Sequence, residues 1–286
     1  MPEIESDRAV LLTESYMQTE DKPMVMRRAL AFSHILHNIP ITIRDNELIV
    51  GSSTKAPRSC QVYPEFSFEW LEGELDTVAT READPFYISE ETKSELRRIF
   101  PYWKGRTTSE LATAYMAEPA KIAIDHNMFT PGNYFYNGVG HFTVKYDEVI
   151  NCGLNSIIAR IQEKIDNLSV SDPDYSQKHE FYEAAIISCN AVIDYAKRYA
   201  ELAMEMANDC TDSTRKRELM CIAKNCARVP QYPADDFYEA CQSFWFVQLL
   251  IQIESSGHSI SPGRFDVYMY PYFKKDLEKG AITREF

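Results

Sequence analysis

Residues 236–266 read DFYEACQSFWFVQLLIQIESSGHSISPGRFD, and the fold is decided there. From Asp236 to about Glu254 apolar residues occupy nearly every helical face, which predicts a helix buried all round rather than one with a single dry stripe. The helix is expected to end at Ser255-Ser256-Gly257. Beyond an irregular His258-to-Gly263 passage, a further helix is predicted over Arg264 to Glu278, with a kink at Pro271. The most apolar part, Phe244 to Ile253, is interrupted by Gln248 and Gln252 and falls short of the ~18 residues of a membrane span.

Working outward, the rest of the chain is also mainly helical. Tyr146, Val149, Ile150, Leu154, Ile157, Ile158, Ile161, Ile165 and Leu168 hold a helical stripe. A second helix is predicted from about Tyr175 to Asn208, with Ile186, Cys189, Ile193, Ala196, Ala200 and Ala203 on one face. Its small residues would let a neighbour approach closely. A third helix spans Asp212 to Ala227. Towards the N-terminus, residues 7 to 19 and 24 to 38 form a helix pair, the second opening at Pro23. Ser89 starts another helix, with Glu90 and Glu91 favourably placed against its dipole, and Thr107-x-x-Glu110 is a capping-box pattern. Ile41-Thr42-Ile43, a turn at Asp45-Asn46 and Glu47 to Gly51 suggest a short strand or hairpin. Residues 52 to 65 are expected to be an ordered loop. With no repeat, low-complexity tract or linker, residues 1–286 are taken as a single region, mainly α with a few short β-strands.

Composition narrows the function classes. Of 286 residues, 30 are Lys or Arg and 43 are Asp or Glu, a formal net charge of −13. That balance argues against a nucleic-acid binder, which needs a basic surface. The acidic start Met1-Pro2-Glu3-Ile4-Glu5 is unlike a signal peptide. The seven cysteines are odd in number, irregularly spaced and without a CxxC pair, which reads as reduced thiols in a cytoplasmic protein. Cys189, Cys221, Cys226 and Cys241 fall within helices and are expected to be inert. Cys221 and Cys226 lack the second ligand pair of a zinc site. His34 and His37 read as a helix surface rather than a metal site, and His179 as part of a solvated helix face. Gly138-x-Gly140 lacks the rest of a dinucleotide fingerprint.

Two stretches could carry chemistry. Glu254 to Asp266 leaves a buried helix and places His258, Ser259 and Ser261 in irregular backbone. Polar groups there must be hydrogen-bonded or face a cavity. Gly132 to His141 combines close-approach glycines, aromatic walls and an imidazole, the mixture a polyol pocket would use. For both stretches the residues alone leave a second reading open: ordinary caps and a packed loop, with histidines satisfied by nearby carbonyls.

At these stretches the chain closely resembles glycyl radical enzymes of the pyruvate formate-lyase type, above all the B12-independent glycerol and propane-1,2-diol dehydratases. The resemblance is carried by Arg28 to Ala31 through Leu36, Asn38 to Asp45, Glu47 to Gly51, Pro64-Glu65-Phe66, Thr107 to Thr113, Asn133 to His141, and Glu254 to Tyr272. It covers essentially the whole chain in order and implies the N-terminal part of the family's α/β barrel. It also implies that His141, His258 and Ser259 contact the substrate hydroxyls; of these, His141 is assigned as proton donor to a departing hydroxyl, since an imidazole can supply a proton near neutral pH. The choline-lyase and formate-lyase branches differ at Gly-His-Ser-Ile-Ser, which favours a polyol.

The family's thiyl-forming cysteine, its adjacent glutamate and its radical-bearing glycine lie beyond the point matching Phe286, and the start looks trimmed. The resemblance therefore implies a fragment inactive alone, binding neither cofactor nor metal. It also implies a full-length homodimeric lyase whose glycyl radical is installed by a separate radical S-adenosylmethionine activase under anaerobic conditions, with no nucleic-acid or membrane partner. Rival readings are another enzyme of the same family (formate acetyltransferase or C–N lyase), a partner subunit completed by a separate C-terminal half, and an inert helical remnant. Tyr134, Tyr136, Phe244 and Trp245 are expected to be covered in a whole enzyme and to promote association if exposed.

Overall fold

The computed structural model describes residues 1–130, 132, 135–138 and 140–285. In chain order these form β1 (Glu3–Glu5), α1 (Asp7–Gln18), α2 (Met24–Asn38), β2 (Ser59–Gln61), α3 (Glu69–Glu74), α4 (Glu90–Trp103), α5 (Thr108–Ala114), α6 (Glu118–Asp125), α7 (Tyr146–Asp166), α8 (Tyr175–Asp209), α9 (Ser213–Arg228), α10 (Phe237–Ser255) and α11 (Phe265–Glu278). Helices dominate, as predicted. The strands β1 and β2 pair in parallel, Ile4 opposite Cys60, and no closed barrel is formed among the described residues.

Helix starts follow local chemistry. Ser89 accepts from the Thr92 amide, Asp212 from Arg215 and Asp236 from Glu239, which fixes the first turns of α4, α9 and α10. The predicted capping box at α5 is complete, Thr107 and Glu110 each satisfying the other's backbone amide. The long helix α8 packs against α2 and α9. Ala191, Ala196, Ala203 and Ala207 are buried along it, and Tyr195 and Tyr199 are fully enclosed. Of the face predicted for this helix, Ile193, Ala196 and Ala203 are buried, while Ile186, Cys189 and Ala200 are only half-buried.

The helix α10 is buried along its length, including Ala240, Phe246, Leu249, Leu250 and Ile253. It sits among α7, α8, α9 and α11 and supplies both the main core, through Phe246 and Ile253, and a second cluster, where Ala240 joins Tyr146, Ile150 and Met269.

Three expectations are corrected. Residues 41–51 form no strand. Their irregular backbone, turning at residues 45–46 and bending at 48–49, is instead held by side chains: Gln242 both donates to the Val50 carbonyl at 2.8 Å and accepts from its amide at 2.9 Å. Trp245 donates to the Gly51 carbonyl at 3.0 Å, and the Tyr199 hydroxyl accepts from the Ser52 amide at 3.1 Å. At residues 50–52 these bonds take the place of a neighbouring strand. Second, the uninterrupted helix expected from Tyr146 breaks at Gly153 (φ 73°). There the Leu154 and Asn155 amides turn outward to the carbonyls of Pro230 and Gln231, and a Cβ at Gly153 would lie 2.6 Å from the Gln231 oxygen. Third, residues 59–61 of the expected loop form β2; α11, with Pro271 inside it, covers the helix predicted over residues 264–278 to within a residue.

Gln242→Leu keeps the volume but leaves the fully buried Val50 amide and carbonyl without partners. It is expected to lower stability in urea unfolding by about 2–4 kcal/mol, since each unsatisfied buried group costs about 1–3 kcal/mol. An unchanged unfolding midpoint would show that the segment does not depend on this side chain.

Candidate functional site: two loops at the end of a buried helix

α10 delivers the first loop. Its C-cap, Ser256, is left-handed (φ 64°), as are Gly257 (φ 73°) and Ser259 (φ 54°), so the chain reverses sharply past the helix end. Ile260 is buried. Its carbonyl accepts from Gln248 at 3.4 Å, and Gln248 in turn accepts from the enclosed Tyr146 hydroxyl.

The second loop lies directly on the first. The His141 amide donates to the His258 carbonyl at 3.1 Å, and the Ser261 amide to the Phe142 carbonyl at 3.1 Å. Thr143 and Ser261 form an isolated parallel bridge, and the Gly138 amide donates to Ser256 Oγ at 3.2 Å. Glycine is required for this approach. A Cβ on Gly138 would stand 2.2 Å from the Ser255 carbonyl oxygen, and one on Gly140 would stand 1.7 Å from that of His258.

The clasp brings two of the sequence-derived site residues together. The His141 and His258 rings meet edge to face with centroids 4.7 Å apart. His141 is exposed and itself left-handed (φ 57°), His258 is half-buried and Ser259 is exposed beside it. Two imidazoles therefore adjoin, His141 on the surface and His258 with its Nε2 buried, and such rings can donate and accept hydrogen bonds and carry protons. Of the residues quoted for the 133–141 loop, Asn133, Tyr134 and Val139 lie outside those described. Tyr136 is 50% exposed, whereas Phe244 and Trp245 are half-buried.

At the end of α10, just before this loop, lies a charged cluster that sequence reasoning missed. Arg8, 1% exposed, is bidentate on Glu65, with Nη2 to Oε1 at 2.5 Å and Nη1 to Oε2 at 3.1 Å. Its guanidinium stacks 3.8 Å over the Tyr63 ring and reaches the carbonyls of Ile253 at 2.6 Å and Glu254 at 3.1 Å. Burial opposes the Arg8 charge, but Glu65, Tyr63 and Glu254 together outweigh it, and the guanidinium pKa is raised. Burial also pushes the Tyr63 phenol up to about 12, so it stays a donor, to the Gln252 carbonyl at 2.9 Å. Arg28 pairs with the Glu254 carboxylate. The available signal was an arginine in step with Leu12 and Tyr16 on the buried stripe of α1, a place that demands a partner.

The other candidates behave as ordinary surface and core. His34 faces Glu14 at 3.4 Å, His37 faces Asp194 at 3.3 Å and His179 faces Glu183 at 3.4 Å. All seven cysteines are free thiols. Burial pushes Cys189 and Cys241 up to about 11 and raises Cys221 and Cys226 as well, which makes them poor nucleophiles. No described group of three or more His, Cys, Asp or Glu could hold a metal ion, and no described helix is long and apolar enough to cross a membrane.

The mainly helical frame agrees with the N-terminal part of the family that the sequence resembles. The pyruvate formate lyase-like family model matches residues 1–286, and the chain belongs to that family. A solved structure from a study of 1,2-propanediol dehydration in Roseburia inulinivorans is 61% identical, with a TM-score of 0.97, over 100% of this chain and 34% of that one. The glycerol-bound B12-independent glycerol dehydratase of Clostridium butyricum is 54% identical, with a TM-score of 0.94, over 99% of this chain and 36% of that one. Among curated proteins, (2S)-3-sulfopropanediol dehydratase of Klebsiella oxytoca is 36% identical over 99% of this chain and 35% of its own length. These relatives are glycyl radical dehydratases, and the chain spans about a third of their length.

Gly138→Ala and Gly140→Ala are each expected to destabilise the protein by about 1–3 kcal/mol, the usual cost of overpacking, and to shift the amide resonances of residues 255–261. Gly132→Ala, where a Cβ meets nothing within 4 Å, should change stability by less than about 0.5 kcal/mol. Equal effects at all three positions would contradict the clasp.

Proposed function

We propose that this chain is the N-terminal part of a glycyl radical diol dehydratase, a lyase that removes water from glycerol or propane-1,2-diol to give 3-hydroxypropionaldehyde or propionaldehyde. The observation that carries the reading is the direct contact between the His141 and His258 loops. It makes one polar surface of the two segments that most resemble the diol dehydratases. The higher identity to the propanediol and glycerol proteins (61% and 54%) than to the sulfopropanediol enzyme (36%) favours an uncharged diol.

In this reading residues 1–286 are one region of a pyruvate formate-lyase-type domain, ending before the thiyl cysteine and radical glycine, and are inactive alone. The whole enzyme is a cytoplasmic homodimer that completes the barrel. Its radical, installed by a radical S-adenosylmethionine activase, supplies hydrogen abstraction from the diol carbon. The chain's own residues do the polar work. His258 and Ser259 orient the two hydroxyls, holding the reacting C–H where abstraction can occur. His141 delivers a proton to the departing hydroxyl, as an imidazole can near neutral pH.

The test is aldehyde formation from each diol by the longer polypeptide containing this chain, after anaerobic activation. His141→Ala and His258→Ala are expected to lower the rate by about 10²-fold or more, the usual worth of positioned acid–base groups. A rate unchanged in both variants would overturn the assignment. Turnover of a different substrate class, with neither diol accepted, would overturn the diol reading.

A further inference from the structure

An α-helix ends with four carbonyls that lack intrahelical partners, and most helices leave them to water or a glycine turn. At α10 three consecutive carbonyls are taken by side chains from distant parts of the chain. Tyr63 donates to Gln252 at 2.9 Å, Arg8 Nε to Ile253 at 2.6 Å and Arg8 Nη2 to Glu254 at 3.1 Å. Arg8 comes from α1. Tyr63 and Glu65 follow β2, and the Glu65 carbonyl in turn accepts from the Thr108 amide at the start of α5 at 3.0 Å. From α2, Arg28 grips the Glu254 carboxylate.

Stability alone does not account for this arrangement. Burying a guanidinium and a carboxylate carries a desolvation penalty that their attraction often only balances, so a buried pair is weak evidence of net stabilisation. What the arrangement supplies is direction. A cation lies at the negative end of the helix dipole, and a rigid fork fixes two adjacent carbonyls while stacked on the ring that fixes the third. Between the held Glu254 and His258 stand only Ser255, Ser256 and Gly257. A change in the angle of the helix end is therefore carried straight to His258 and, through its carbonyl, to the His141 amide.

We propose that Arg8 and Tyr63, backed by Glu65 and Arg28, are positioning residues of the His141–His258 site: they aim the end of α10 so that both imidazoles meet the substrate in one fixed geometry. None of the four needs to touch substrate. The kinetic side of this inference rests on the diol reading above, while its structural side rests on geometry alone.

The test uses Tyr63→Phe, which removes one hydroxyl, and the pair Arg28→Met and Arg28→Lys, at a position 40% exposed. Arg8→Lys tests the fork itself, and the milder variants keep the test decisive should that substitution prevent folding. In the 286-residue chain with labelled histidine, Tyr63→Phe and Arg28→Met are expected to shift the His258 imidazole resonances and weaken cross-relaxation with the His141 ring. They should also speed amide exchange at residues 256–260 by about tenfold or more, leaving α9 unchanged.

In the activated longer polypeptide, kcat/KM for the diol should fall by about tenfold or more, since small misplacements of reacting groups cost up to about 10²-fold. Arg28→Lys should recover most of the loss. Unmoved His258 signals and exchange in both variants, with only a lower thermal midpoint, would reduce the cluster to a structural role and overturn the proposal. If the histidine signals move as expected while the unaltered enzyme turns over neither diol, the positioning stands and the diol reading fails.

Discussion

The guanidinium of Arg8 is the contact on which the site depends. It is almost fully enclosed, and a buried cation must have both a counter-charge and a hydrogen-bond partner for each of its donors. Glu65 supplies the first, and the last carbonyls of α10 supply part of the second. One group thus joins α1, the segment after β2 and the end of the central helix. Removing either member of the pair would strand the other charge in the interior, the case in which buried pairs cost most.

The remaining geometry of the site follows from where α10 ends. Once that end is held, left-handed turns at Ser256 and Gly257 bring the His258 carbonyl beneath the 138–141 loop, and only residues without a side chain can occupy the contact. The two glycines are a steric requirement of backbone lying on backbone, and the edge-to-face meeting of the two imidazoles is its consequence. The helices behind provide rigidity, with Gln248, fixed by Tyr146, holding the far side of the loop at Ile260.

Much of the fold was legible because it is written in local chemistry. The apolar stripes, the Thr107–Glu110 box and the all-round apolar character of residues 236–254 each have a physical meaning within one or two helical turns, and each gave the right element. What was not legible depends on partners far away in the chain. Ile41 to Gly51 has strand chemistry, but Gln242, Trp245 and Tyr199 offer it side-chain partners in place of a strand. β1 could not be read because the strand that pairs with it lies inside what looked like a loop. The break at Gly153 depends on the carbonyls of Pro230 and Gln231, which come within reach of the next two amides only in the folded chain. For the site, the two histidine loops stood out by composition, whereas Arg8 looked like any charged residue near a helix start. Only its phase with Leu12 and Tyr16 marked it as buried.

The most direct measurement is a structure of the longer polypeptide with propane-1,2-diol bound. The account requires the two hydroxyl oxygens within hydrogen-bond reach, about 2.6–3.2 Å, of His141 on one side and of His258 and Ser259 on the other, with the Arg8 fork still closed on Ile253 and Glu254. A diol bound away from both imidazoles, with the two loops in the same clasp, would contradict it.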